Sequence, residues 1–428
     1  MDELKVTGKP FRISKQEVWD AWVKVKGNKG APGVDGVGLA EFEKDLKGNL
    51  YKVWNRMSSG TYFPPPVRAV EIPKPHDAGT RMLGVPTVAD RVAQTVAAAR
   101  LEAVVEPLFH PDSYGYRPGR GPLDAVAACR KRCWKYDWVI DLDIRKFFDS
   151  VPWDLVVKAV RHHTDHDTRW IVLYVERWLA APLQLPGGTL QERDRGTPQG
   201  SAISPVIANL FMHYAFDLWM GRKFPALRFE RFADDAVIHC VSERQALMVL
   251  DAVRGRMAEA GLELHPDKTR VVYCKDSNRR GSAEHVSFTF LGYTFRPRGT
   301  RREDGVQFTS FQPAISREAL KKVSAEVRSW RLHRRVNLEA GQIARWINPK
   351  VRGWMTYYGA FNRSALYPLL RRINAYLLRW IMNKYKKHRA VRKASRLLAE
   401  AAAARPRYFS HWDWAKPTSQ LTRTARAV

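Results

Sequence analysis

Apolar and polar residues alternate most sharply over residues 227–241, LRFERFADDAVIHCV. Two alternating runs, Leu227 to Phe229 and Ala236 to Ile238, flank the acidic pair Asp234-Asp235. That alternation belongs to half-buried strands, and strand, tight turn and strand make a hairpin. A second strand pattern, Trp138-Val139-Ile140, runs into Asp141 and Asp143, which share one face of the pleat. Residues 287–297, SFTFLGYTFRP, alternate as one aromatic-rich strand, either in the core or near nucleic acid. Helical periodicity covers 14–26, where Ser14 and Glu17 form a capping box, and also 40–57 and 88–109. RGTPQG at 195–200 reads as a polar turn running into a long apolar helix that ends near Met220.

Three further helical stripes follow Phe311. They are Leu320, Val323, Val327 and Trp330; Ile347, Val351, Trp354, Tyr358 and Phe361; and Leu366, Leu370, Ile373, Leu377 and Ile381. Their opposite faces are dense in Arg and Lys, among them Arg345, Lys350, Arg352, Arg371, Arg372 and Arg379. The pattern predicts a three-helix bundle with one cationic surface, suited to gripping RNA or a hybrid duplex by shape and phosphate. A basic protein-docking bundle is the other reading.

Charge sharpens this division. The 428 residues carry a formal charge of +29, with 72 Lys+Arg against 43 Asp+Glu. From Phe311 onward there are 26 basic and 5 acidic residues. A nearly balanced front part is thus joined to a strongly basic back part, as expected of a catalytic body with a nucleic-acid clamp. Cysteines stand only at 129, 133, 240 and 274, without a C-x-x-C pair, so neither a zinc site nor a disulfide framework is expected. No apolar run approaches a membrane span, and a cytoplasmic setting without membrane partners is expected.

The candidate chemistry sits on the strands. Adjacent carboxylates at Asp234 and Asp235 repel each other and call for a cation; Mg²⁺ is the expected one. Either Asp141 or Asp143 could complete a cluster able to bridge two metal ions for phosphoryl transfer. Lys74 and Arg81 bracket a short turn and could grip a triphosphate. Gln199 could position a nucleotide or simply hydrogen-bond its loop. Lys268 could act as an acid near a leaving phosphate. Asn209 and His213 read as internally satisfied core residues.

Taken in order, these pieces resemble the bacterial group II intron-encoded reverse transcriptase/maturase family over about residues 10–415. RFADDAVIHC resembles the polymerase hairpin, with Phe232 where Tyr is usual, and VIDLDIRKFFDSV the strand carrying the first metal-binding aspartate. RGTPQGSAISPVIANLFM is the most specific stretch; IPKPHDAGTRMLGVPTVADRVAQ resembles the fingers, FLGYTF the primer grip and INPKVRGWMTYYGAF the maturase thumb.

The resemblance implies an α+β right-hand polymerase: fingers at 1–100, an RRM-like palm at 101–310, an all-helical thumb/maturase domain at 311–400 and a short basic tail at 401–428. It implies RNA-directed DNA polymerisation with two Mg²⁺ ions, together with binding of a parent group II intron RNA for splicing and retrohoming. The implied partners are that RNA, an RNA template/DNA primer duplex, dNTP and target DNA. Asp143, Asp234 and Asp235 match the catalytic set, with the carbonyl of Ile144 completing one metal shell. Phe148 matches the residue that screens out a ribose 2′-OH. Lys74, Arg81, Gln199 and Lys268 match nucleotide-binding positions, and Phe232, Gly292 and Tyr293 primer/template positions. Cys274 is the last cysteine and little follows Glu400, so the short form without an HNH endonuclease domain is expected. An intron-independent relative in repair or phage defence, and a non-enzymatic splicing cofactor, are the alternatives. Monomer and dimer are both compatible with the sequence.

Overall fold

The computed structural model describes residues 9–73, 79–301 and 304–418. The chain forms two compact units, residues 1–129 with 138–271, and residues 130–137 with 272–428.

The first unit opens with three helices, α1 (Lys15–Asn28), α2 (Leu39–Lys44) and α3 (Leu46–Ser58). Ser14 and Glu17 close the expected capping box on α1, worth about 1 kcal/mol. The single helix expected over 40–57 is two helices. Asp45 leaves helical geometry and its carboxylate accepts from the amide of Gly48, so it caps α3 rather than continuing α2. Then come β1 (Val67–Pro73), β2 (Thr80–Val85), α4 (Val88–Val105), α5 (Pro122–Cys133), β3 (Trp138–Leu142), α6 (Phe147–Ser150), α7 (Trp153–His162) and α8 (Trp170–Ala180). The short strands β4 (Leu183–Gln184) and β5 (Leu190–Gln191) precede α9 (Ser204–Met212) and α10 (Leu218–Lys223). A π-helical turn, His213–Asp217, separates these two helices, so the long apolar helix expected after the polar turn is interrupted. The hairpin β6 (Arg228–Phe232) and β7 (Asp235–Cys240), α11 (Glu243–Glu259) and β8 (Arg270–Tyr273) complete the series.

Among the described residues two four-stranded sheets result, in the orders β2-β1-β4-β5 and β6-β7-β3-β8. In the second, β7 is antiparallel to both neighbours, with Asp141 opposite Val237 and Phe232 opposite Asp235. Helix α4 runs through the core, buried on most sides from Val88 to Ala98. Cys129, Cys133, Cys240 and Cys274 are all buried and outside any disulfide, and Cys129 lies with its sulfur within 4.8 Å of ligand atoms of the buried Glu230 and His239.

The second unit holds β9 (Phe288–Phe290), β10 (Tyr293–Arg301) and β11 (Gln307–Ile315), an antiparallel sheet in the order β11-β10-β9. The one strand expected over 287–297 is therefore two. The chain reverses at Leu291 and Gly292, both at positive φ, where glycine carries no steric penalty. Among the described residues four α-helices follow rather than three: α12 (Arg317–Ser329), α13 (Ala340–Tyr358), α14 (Tyr367–Lys384) and α15 (Val391–Ala404). The predicted stripes form or pack against the core except Phe361, which lies beyond the end of α13, and α15 adds Ala394, Leu398 and Ala402. Phe409, His411 and Trp412, expected in a basic tail, are buried. The ring of His411 and the indole of Trp412 both bond Oδ1 of Asn374, at 2.7 and 3.0 Å. No helix among the described residues is long and apolar enough to cross a membrane.

Candidate active site

Asp234 and Asp235 sit at the tip of the β6–β7 hairpin, and Asp143 just beyond the end of β3. The turn needs a left-handed residue, and Ala233 takes it with φ 58°. Asp143 is held from behind. Its carbonyl accepts from the amide of His265 at 2.8 Å, and its amide donates to Oγ1 of Thr269 at 3.3 Å. Ile144 is buried and bridges Leu264.

These segments meet. Burial raises Asp234, with the Asp143 carboxylate adding to the effect and Arg231 opposing it. Asp235 opens onto solvent, yet the surrounding walls, then Asp234 and Asp143, push it up to about 7, while Lys268 pulls the other way. Asp141, the alternative on β3, belongs to the same cluster. Burial, Asp235 and Asp143 drive it up to about 8. Lys268 places Nζ 3.6 Å from Oδ2 of Asp143. Several carboxylates crowded against little positive charge form a hard oxygen donor set that fits a divalent cation.

The remaining candidates divide. Lys74 lies outside the described residues. Arg81 is exposed on β2, opposite Ile72. Gln199 is half-buried in its turn, and its carbonyl accepts from the amide of Gly84 on β2 at 2.8 Å. Gly84 allows this approach, since a Cβ there would stand 2.8 Å from Pro198. Phe148 stacks edge-to-face on Phe147, with ring centres 5.2 Å apart. Its carbonyl accepts from Thr197 at 2.6 Å, which ties it to the Gln199 turn. Phe232 lies at the hairpin tip beside the ring of Tyr116, 6.3 Å away.

Tyr293 differs from expectation. Its side chain is fully buried and its hydroxyl donates to the carbonyl of Tyr357, so it offers no side-chain surface to a primer. It anchors the turn to α13, while Leu291 and Gly292 remain partly exposed. On the helices, Arg345, Lys350, Arg352 and Arg371 are exposed, and Arg372 and Arg379 are half-buried. Lys350 is paired with Glu326 at 2.5 Å.

Sequence reasoning missed two features. Tyr116 feels Asp234, Arg81 and Asp235 together, which places its hydroxyl among the site's charges. Buried Asp90 accepts from Tyr62, Trp178 and Gln94, and Gln94 Oε1 in turn accepts from Ser201 Oγ and the amide of Ala202. That chain reaches the Gln199 turn from the first two turns of α4. Burial raises Asp90 to about 6. Asn209 is internally satisfied as expected, donating to the carbonyl of Gly115 at 2.7 Å. Nδ1 of His213 has no hydrogen-bond partner among the described residues.

Residues 72–295 match the family described as reverse transcriptase (RNA-dependent DNA polymerase). The chain belongs to the reverse transcriptase family. Residues 320–398 match the group II intron, maturase-specific domain, so a maturase domain follows the polymerase domain. Protein YkfC of Escherichia coli is 28% identical over 306 residues, 62% of this chain and 76% of that protein. The group II intron-encoded protein LtrA of Lactococcus lactis is 29% identical over 164 residues, 38% of this chain and 27% of LtrA. A putative COX1/OXI3 intron 1 protein of Saccharomyces cerevisiae is 31% identical over 171 residues, 40% of this chain and 20% of that protein. A reverse transcriptase domain implies dependence on a divalent metal, and the acidic cluster offers an oxygen donor set that fits one.

Proposed function

We propose that this reverse transcriptase copies RNA into DNA at the Asp143–Asp234–Asp235 cluster, and that it binds a group II intron RNA to assist splicing and to copy it during retrohoming. The observation that carries the reading is the meeting of Asp143 with Asp234 and Asp235 from separate segments, in a chain matching both family domains. Fingers at 1–100, palm at 101–310, thumb at 311–400 and tail at 401–428 are part of the proposal.

Two Mg²⁺ ions, held by Asp143, Asp234 and the Ile144 carbonyl, would activate the primer 3′-OH and neutralise the leaving pyrophosphate. Asp235 adds a third carboxylate to the set. Arg81, with Lys74, grips the dNTP triphosphate. Gln199 lies against the incoming nucleotide, and Phe148 excludes a 2′-OH. Lys268, already beside Asp143, donates a proton to pyrophosphate. Phe232, Gly292 and the backbone turn that Tyr293 anchors guide primer and template. Arg345, Lys350, Arg352, Arg371, Arg372 and Arg379 contact RNA phosphates, so binding weakens steeply with salt.

The test is extension of a DNA primer on an RNA template with Mg²⁺ and dNTPs, comparing the natural chain with Asp234→Asn. Polymerisation is expected to vanish in the variant while binding and splicing of intron RNA persist. A natural chain unable to extend the primer overturns the reading.

A further inference from the structure

Behind the acidic turn lies a second charged pair. Arg231 is on β6 and Asp217 closes the π-helical turn. Neither side chain reaches solvent. Nε of Arg231 donates to Oδ1 of Asp217 at 2.7 Å, and Nη2 to Oδ2 at 2.6 Å. Nη2 also reaches Oγ of Ser113 at 2.8 Å, and Nη1 reaches Oδ1 of Asn209 at 3.1 Å. The fifth bond runs from Nη1 to the carbonyl of Ala233 at 2.9 Å. A guanidinium has five N–H donors, and this one uses all five.

The fifth bond matters most. Ala233 is the residue at φ 58° that turns the chain into Asp234. Its carbonyl belongs to the peptide group shared with Asp234. A non-glycine residue in that region persists where its surroundings over-determine it. Here they do. Gly115 presses so close that a Cβ on it would stand 2.4 Å from the amide nitrogen of Ala233. Gly115 is itself held by Asn209, another partner of the guanidinium. The backbone of Arg231 is clamped on the same side, donating to Asp112 and accepting from Tyr114. A π-turn inserts an extra residue into a helix, and such turns gather at functional sites; this one ends on Asp217.

We propose that Arg231 and Asp217 are positioning residues for polymerisation: Asp217 orients the guanidinium, which locks the Ala233 peptide and so sets the Asp234 carboxylate where the divalent metal binds. The proposal rests on the polymerase reading above. Neither residue touches substrate. Their contribution passes through the turn.

The experiment uses the full chain, a primed RNA template, Mg²⁺ and dNTPs. Four variants are compared with the natural chain: Arg231→Lys, Asp217→Asn, Ser113→Ala, and Arg231→Lys combined with Ala233→Gly. Readouts are kcat, KM for dNTP, the Mg²⁺ concentration for half-maximal rate, and the melting temperature. Arg231→Lys and Asp217→Asn are expected to lower kcat by roughly tenfold to a hundredfold, the cost of a small misplacement. They raise the Mg²⁺ requirement and leave KM for dNTP within about twofold, since the proposed triphosphate grip lies elsewhere. Ala233→Gly restores part of kcat in the lysine background, because glycine adopts positive φ without being held. A merely stabilising role would not respond to that rescue. Ser113→Ala deletes one bond without stranding a charge and shifts the Mg²⁺ requirement in the same direction. An active natural chain whose Arg231→Lys variant is equally active overturns the inference, as does a kcat loss that follows the melting temperature and ignores Ala233→Gly. If the charge variants do not fold, an unchanged Mg²⁺ requirement in Ser113→Ala overturns it. An inactive natural chain overturns the polymerase reading instead.

Discussion

The ammonium of Lys268 stands 3.6 Å from Oδ2 of Asp143, so a cation from the stretch after α11 meets the carboxylate just beyond β3. The same lysine opposes the upward push on Asp235. It is placed to temper the cluster's charge, and in the proposed function it hands over a proton.

Lys268→Gln is expected to lower kcat by about a hundredfold, within the usual span for a lost general acid. RNA binding should not change, since the thumb cations are untouched. Single-turnover primer extension and filter binding measure the two quantities. An undiminished kcat would remove Lys268 from the proton-donor role.

Gln94 links the buried core to the turn that carries Gln199. Its Oε1 accepts from Ser201 Oγ at 2.6 Å and from the amide of Ala202 at 2.7 Å. Gln94→Leu strands both donors, at about 1–3 kcal/mol each. The expected result is a lower melting temperature together with a raised KM for dNTP, because Gln199 sits in the freed turn. A melting shift with KM unmoved would separate the turn from nucleotide binding.

Gly196 has φ 76°, and a Cβ on it would lie 2.7 Å from the carbonyl oxygen of Phe148. Gly196→Ala therefore meets backbone strain and a clash together, costing about 1–3 kcal/mol or more. Because the clash pushes on Phe148, incorporation of ribonucleotides relative to deoxyribonucleotides should rise. Urea unfolding and competition assays with the two nucleotide types check both expectations.

His411 gives the second unit a pH dependence. Burial depresses its ring to about 3, against an ordinary value near 6.5. The unfolded chain takes up a proton below 6.5 while the folded chain does not. Stability is therefore full above about pH 6.5 and is lost as pH falls toward 3, by up to roughly 1.4 kcal/mol per pH unit. His411→Gln keeps an amide donor for Asn374 but does not titrate. Its melting temperature should fall less between pH 7 and pH 5 than that of the natural chain. Parallel slopes would contradict this account.

Local pattern determined a good deal. Alternation around Asp234-Asp235 marked the hairpin, because strand geometry repeats every two residues whatever lies elsewhere. Ser14 and Glu17 marked the start of α1 for the same reason: a cap is made by neighbours. The stripes from Leu320 to Ile381 marked the core of three basic helices. The ordered motifs carried the family, now shown by the two domain matches.

Contacts between distant segments were decided only in three dimensions. Nothing near Arg231 in sequence announces Asp217, Ser113 and Asn209 as its partners. The family resemblance assigned Tyr293 to primer and template, and its side chain is instead buried against α13. Asp141 and Asp143 share a face of the pleat, but only the packed sheet brings Asp141 near Asp235 and so drives it up to about 8. Periodicity reports which face of an element is apolar. What that face meets depends on how the chain closes, and the charges at the site are set by that closure.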